Sequence, residues 1–178
     1  MAGTTIVLLV GAIVYQVVAR RPHPVVPDMA NNGAAPDISQ MSPRERFDRL
    51  YDRVIGAAER GDSATVIQFS PMALGAYRQL DTVNADARYH AAMIHLTLGD
   101  FPEATALADT ILREVPDHLF GYVIRGEAAE RQGRTVDLKR SYADFLSHYA
   151  AEMKTNRPEY REHQPVIDDF SRRAKPAR

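Results

Sequence analysis

The sequence predicts an all-α protein, with a helical body preceded by one membrane-spanning helix and a proline-rich linker. Three observations carry this. No residue from Ala2 to Ala19 is charged. From Ser42 onward, apolar residues recur at helical spacing between glycine and proline stops. Alternating β-branched runs flanked by hairpin turns do not occur. The chain has 178 residues, 45% hydrophobic and 25% charged, which is the composition of a folded chain. Its net charge of −1 excludes the basic excess of a broad nucleic-acid surface. With no cysteine, disulfides, thiolate metal sites and thiol catalysis are excluded.

Residues 1–21 read as the anchor. Eighteen uncharged residues span about 27 Å as a helix, near the hydrocarbon thickness of about 30 Å. Tyr15 and the arginines Arg20 and Arg21 stand where an aromatic ring and snorkelling cations suit the membrane interface. A cleaved signal peptide is the rival, with Ala19 as its small residue. However, Met1–Thr5 lacks the positive leading region and the apolar stretch is long for that purpose. Positive-inside logic puts the C-terminal side in the cytoplasm. The expected setting is therefore a single pass through a bacterial inner membrane, with a periplasmic domain as the alternative.

Residues 22–41 hold Pro22, Pro24, Pro27 and Pro36, which favour an extended spacer or a strap lying along a partner. The helical domain covers residues 42–154. Ser42-Pro43-Arg44-Glu45 combines a capping serine, a first-turn proline and a glutamate three residues after the cap. Phe47, Leu50, Tyr51, Val54 and Ala58 follow on one face, and Gly61 ends the run. A short helix is expected to start at Ser70-Pro71. Others are expected over 85–98, 102–114, 118–132 and 135–153, closed by Gly99, Pro116 and Gly133. Residues 155–178 form a capping segment, carrying Tyr160, Val166, Ile167 and Phe170, and a basic tail of Arg172, Arg173, Lys175 and Arg178.

A period near 34 residues runs through the middle. Leu98-Gly99-Asp100-Phe101-Pro102-Glu103-Ala104 precedes Pro116-Asp117, and Gln132-Gly133-Arg134 repeats the turn. This resembles a tetratricopeptide repeat, with two to three units and degenerate ends over about residues 44–153. In that register Ala92, Ala104 and Gly126 take the small packing positions. Tyr122 and Tyr142 take aromatic ones, and Pro116 the closing proline. Arg88, His95, Leu138 and Ala150 depart from the family pattern. The resemblance implies a short solenoid whose concave face carries Tyr89, Met93, Leu96, Phe120, Val123 and Glu127 as a partner-binding groove. The family's lysine-asparagine-arginine carboxylate clamp has no counterpart among them.

No catalytic constellation and no metal motif is found, and no cofactor is expected. His90 and His95 are five apart and turn to different helix faces, so each of the six histidines reads as a surface or packing residue. Glu162-His163 are adjacent and diverge on a helix. The expectation is a non-enzymatic membrane-anchored scaffold without nucleic acid or small-molecule substrate. Its partners would be the lipid bilayer and other protein subunits of a respiratory, photosynthetic or secretion complex. The alternative is an anchored adaptor that recruits a soluble protein, peptide or chaperone client.

Overall fold

Helix α1, Pro43–Glu59, starts at a complete capping box in the computed structural model. The Ser42 hydroxyl accepts from the Glu45 amide, and the Glu45 carboxylate accepts from the Ser42 amide at 2.8 Å. The structure describes residues 41–175. The anchor, the linker apart from Met41, and Tyr15, Arg20, Arg21 and Arg178 lie outside the described residues. Among the described residues the regular structure is entirely helical, and no helix is long and apolar enough to cross a membrane.

Helix α2 runs from Ser63 to Tyr77, capped by the Asp62 carboxylate accepting from the Thr65 amide. The expected start at Ser70-Pro71 is therefore too late. Pro71 sits inside the helix, and Ser70, which is buried, donates its hydroxyl to the Val66 carbonyl at 2.7 Å. Proline removes one backbone donor, but the turns on either side hold the helix together. Helices α3 (Ala85–Leu98) and α4 (Phe101–Glu114) form the next pair, and α5 (Leu119–Arg131) and α6 (Thr135–Glu152) the third. A 3₁₀ turn at Met153–Thr155 leads to α7 (Pro158–Glu162) and α8 (Gln164–Ala174). Pro158 and Pro165 stand in the first turns of these last two helices, where a missing donor is harmless.

The three hairpins share one turn. Gly61, Gly99 and Gly133 have φ of 73°, 77° and 68°, a region closed to most side chains. In each case the amide after the glycine returns to a carbonyl five residues back: Asp62 to Ala57, Asp100 to His95 and Arg134 to Ala129, at 2.8–2.9 Å. This is the 6→1 bond of a Schellman helix end. The same short turn brings each second helix back along the first. The hairpins then pack side by side, α3 resting on α1 and α5 on α3.

The core has two parts. Phe47, Val54, Ala57, Val66, Ala73 and Ile94 fill the space between the first hairpin and α3. Tyr89, Phe120, Val123 and Phe145 join Tyr160, Ile167 and Phe170 from the C-terminal helices in the second.

Candidate functional site

The face expected to bind a partner is occupied by the chain itself. Tyr89 and Leu96 are 1% exposed, Phe120 and Val123 are fully buried, and Met93 is half-buried. Tyr89 stacks on Phe120 with ring centroids 4.3 Å apart. The Tyr160 ring meets Phe120 edge-on, and the His163 ring lies 4.9 Å from Tyr89. Glu127 is the acceptor for Arg173, which also reaches Glu130 at 2.6 Å and Asp169 at 2.9 Å. The C-terminal segment therefore covers Tyr89, Phe120 and Glu127 of the expected groove, while Leu96 and Val123 are buried in the same core and Met93 is half-buried. The physical reason is the apolar stripe on α8: Ile167 and Phe170 are fully buried. Arg173, read as part of a free basic tail, is an internal clamp. Arg172 pairs with Asp169, and Lys175 is exposed.

The repeat-packing positions fare differently. Ala92 and Ala104 are fully buried, and Tyr122 donates its hydroxyl to the Pro116 carbonyl at 2.7 Å, while the Pro116 side chain is exposed. Tyr142 packs edge-on to Phe170. At Gly126 a Cβ would meet Ser141 at an ordinary 3.5 Å, but Phe170 Cζ at 2.4 Å. The need for glycine comes from the C-terminal helix rather than from the hairpin partner.

Where α8 begins, it meets a polar cluster on α3. Asp86 and His90 are one turn apart on α3, and His163 lies between α7 and α8. His163 Nε2 is 3.0 Å from Asp86 Oδ1 and 3.0 Å from His90 Nε2, and His90 Nε2 is 3.7 Å from the same carboxylate oxygen. From α1, Arg44 bonds the other Asp86 oxygen, while Asp48 Oδ1 stands 3.4 Å from His90 Nδ1. Tyr51 stacks on the His90 ring at 3.9 Å. The side chains of Asp86, His90 and His163 are only 8%, 10% and 16% exposed. Burial raises the Asp86 pKa, but the His163 hydrogen bond and the neighbouring His90 ring and Arg44 guanidinium outweigh it. They hold the carboxyl at about 2, below its ordinary 3.8.

A second buried network fixes α7. The Tyr160 hydroxyl accepts from the Leu119 amide at 2.9 Å and donates to Glu152 at 2.7 Å. Glu152 also takes Arg157 Nε at 3.0 Å. His118 accepts from the Phe120 amide through Nδ1, which leaves Nε2–H to donate to Glu159 at 3.3 Å. Burial lowers the His118 pKa.

Among the described residues, a large exposed apolar face lies at the other end of the row. Helix α2 has no ionisable carboxylate, imidazole, ammonium or guanidinium side chain. Ala64, Ile67, Gln68, Pro71 and Met72 are exposed at helical spacing, with Ile67 70% and Met72 49% exposed. Its inward side buries Val66, Ser70 and Ala73. The helix is thus apolar on both sides. Sequence reasoning missed this stripe because it started the helix seven residues late. It missed the polar cluster because His163 is 73 residues from His90, although the Asp86–His90 spacing on one helix face was a usable signal.

No family model matches the chain, and no curated protein is significantly similar to it.

Proposed function

We propose that this protein is a non-enzymatic scaffold, an accessory or assembly subunit anchored in the membrane beside the larger complex it serves. The outward stripe of α2 is the observation that carries the proposal. A helix that is apolar all round is expected to be buried, and a row of helical hairpins needs a polar cap at each end. Here α7 and α8 close one end, while the α2 end presents Ile67 and Met72 to solvent. The matched turns at Gly61, Gly99 and Gly133 support a tetratricopeptide-like repeat. The uncharged segment before Arg20 supports the anchor.

The stripe from Ala64 to Met72 is only about 12 Å long. It can therefore supply only part of a standard interface of about 1,600 Å². The anchor would add the remainder within the bilayer, so the fitting partner is an integral membrane subunit with an apolar extrinsic helix or hairpin. The proposed hosts are respiratory, photosynthetic or secretion complexes.

The test is purification of the full chain from its native membranes in mild detergent. Stoichiometric integral membrane subunits should accompany it. Ile67→Glu with Met72→Glu should abolish the association and leave the melting midpoint of the purified chain within a few degrees. Copurification that survives both substitutions would overturn the role of α2. A soluble client in place of integral subunits would select the anchored-adaptor reading.

A further inference from the structure

We propose that Asp86, His90 and His163 form a binding site for one divalent cation of the zinc class, which fastens the C-terminal segment to α3. Three donor atoms define the site: Asp86 Oδ1, His90 Nε2 and His163 Nε2. Their separations of 3.0, 3.0 and 3.7 Å put them on a circle of about 1.9 Å radius. A cation about 0.8 Å out of that plane is about 2.05 Å from all three atoms, the usual zinc–nitrogen and zinc–oxygen distance.

Protons serve the same triangle poorly. A neutral imidazole nitrogen carries at most one hydrogen, and His163 Nε2 faces a nitrogen and a carboxylate oxygen at the same 3.0 Å. One hydrogen cannot point along both lines, and a hydrogen on each imidazole would bring two donors together. A cation satisfies all three atoms at once.

The surroundings suit a resident cation. Arg44 engages Asp86 through Oδ2, which leaves Oδ1 to face the two imidazoles. His90 Nδ1 is buried without a hydrogen bond of normal geometry, and Asp48 Oδ1 is 3.4 Å from it. Metal-bound histidines usually offer their second nitrogen to such a carboxylate, and a small rotation of His90 would close this contact. Two imidazoles and one carboxylate favour zinc, cobalt or nickel over the hard cations calcium and magnesium. A water would complete the tetrahedron, as in zinc sites with three protein ligands. Because Asp86 and His90 belong to α3 and His163 precedes α8, binding would couple metal affinity to closure of the C-terminal segment.

The full-length protein in detergent, stripped with chelator, is titrated with CoCl₂ and then with ZnCl₂. One equivalent of Co²⁺ should give the visible spectrum of a four- or five-coordinate site, one equivalent of Zn²⁺ should displace it, and the melting midpoint should rise by several degrees. CaCl₂ and MgCl₂ at the same concentration should do neither. His163→Gln and Asp86→Asn should each weaken Zn²⁺ binding at least about 100-fold, and Asp48→Asn about 10-fold. Circular dichroism in chelator checks that the variants are folded. No bound equivalent, or binding unchanged by His163→Gln, overturns the site. Should the variants unfold, zinc X-ray absorption on the unmodified protein decides: two imidazoles per zinc support the site, and none or one refutes it.

Discussion

Replacing Gly126 with alanine adds one methyl group at the tightest point between α5 and α8. Its Cβ would lie 2.4 Å from Phe170 Cζ and 2.6 Å from Cε2. Carbon atoms settle about 3.5–4.0 Å apart, so the ring would have to retreat by about 1 Å. It has little room, since Phe170 is fully buried with Tyr142 and Phe145 rings each 4.9 Å away. Overpacking of this kind costs about 1–3 kcal/mol, and alanine regains about 0.5–1 kcal/mol within a helix. The net loss is up to about 2.5 kcal/mol. Over a folded region of roughly 135 residues this lowers the melting midpoint by up to about 9 °C. Gly75→Ala is the control, because its Cβ meets only Arg78 Nη2 at 3.9 Å. That variant should be more stable by about 0.5–1 kcal/mol. In a Phe170→Leu background the Gly126 penalty should shrink, with a coupling of at least about 0.5 kcal/mol in the double-mutant cycle. The assay is thermal melting followed by circular dichroism. If Gly126→Ala stabilises as Gly75→Ala does, α8 is not seated on α5 and the packing argument fails.

Other perturbations test the remaining contacts. Tyr89→Ala should cost about 3–5 kcal/mol by denaturant titration, because the residue is core; a neutral result would restore it to an open groove. Tyr160→Phe strips a partner from both the Leu119 amide and Glu152, and should cost about 1–3 kcal/mol in the same assay. Asp86 has its pKa depressed to about 2 in the folded state, so its stabilisation is present above the unfolded carboxylate pKa and fades as pH falls from about 4 towards 2. The melting midpoint of Asp86→Asn should therefore fall less over that interval than that of the unmodified protein.

Most of the helical pattern was legible because its signals are local. The capping box at Ser42 and the glycines 61, 99 and 133 act within a few residues of themselves, and the structure uses each one at a helix end. Helix α2 departs from expectation because Pro71, which reads locally as a start signal, stands in its interior. Its isolated propensity argues against a helix interior, but packing of Val66, Ser70 and Ala73 on both sides of the proline overrides that cost. The fate of the concave face was not legible. Tyr89 and Phe120 have the same periodicity whether they face a partner or Tyr160 and His163, and only the path of the last helices decides between the two. Gly121 shows the same limit: a Cβ there would meet Leu112 Cγ at 2.4 Å, a contact between α4 and α5 that no spacing within α5 reveals. The histidine cluster joins residues 73 positions apart, so nothing but the three-dimensional fold brings it together.

The central claim is that the chain's own C-terminal helices fill the face that would otherwise receive a partner. Hydrogen exchange of the full-length protein, read by mass spectrometry, tests it directly. Slow exchange marks backbone that opens only with the folded core. The account predicts that amides in Gln164–Ala174 exchange as slowly as those of Leu119–Arg131, and that Tyr160→Phe accelerates the former more than the latter. Exchange of Gln164–Ala174 at the rate of an unstructured segment, with Leu119–Arg131 still protected, would contradict it and leave Tyr89, Phe120 and Val123 as an open face.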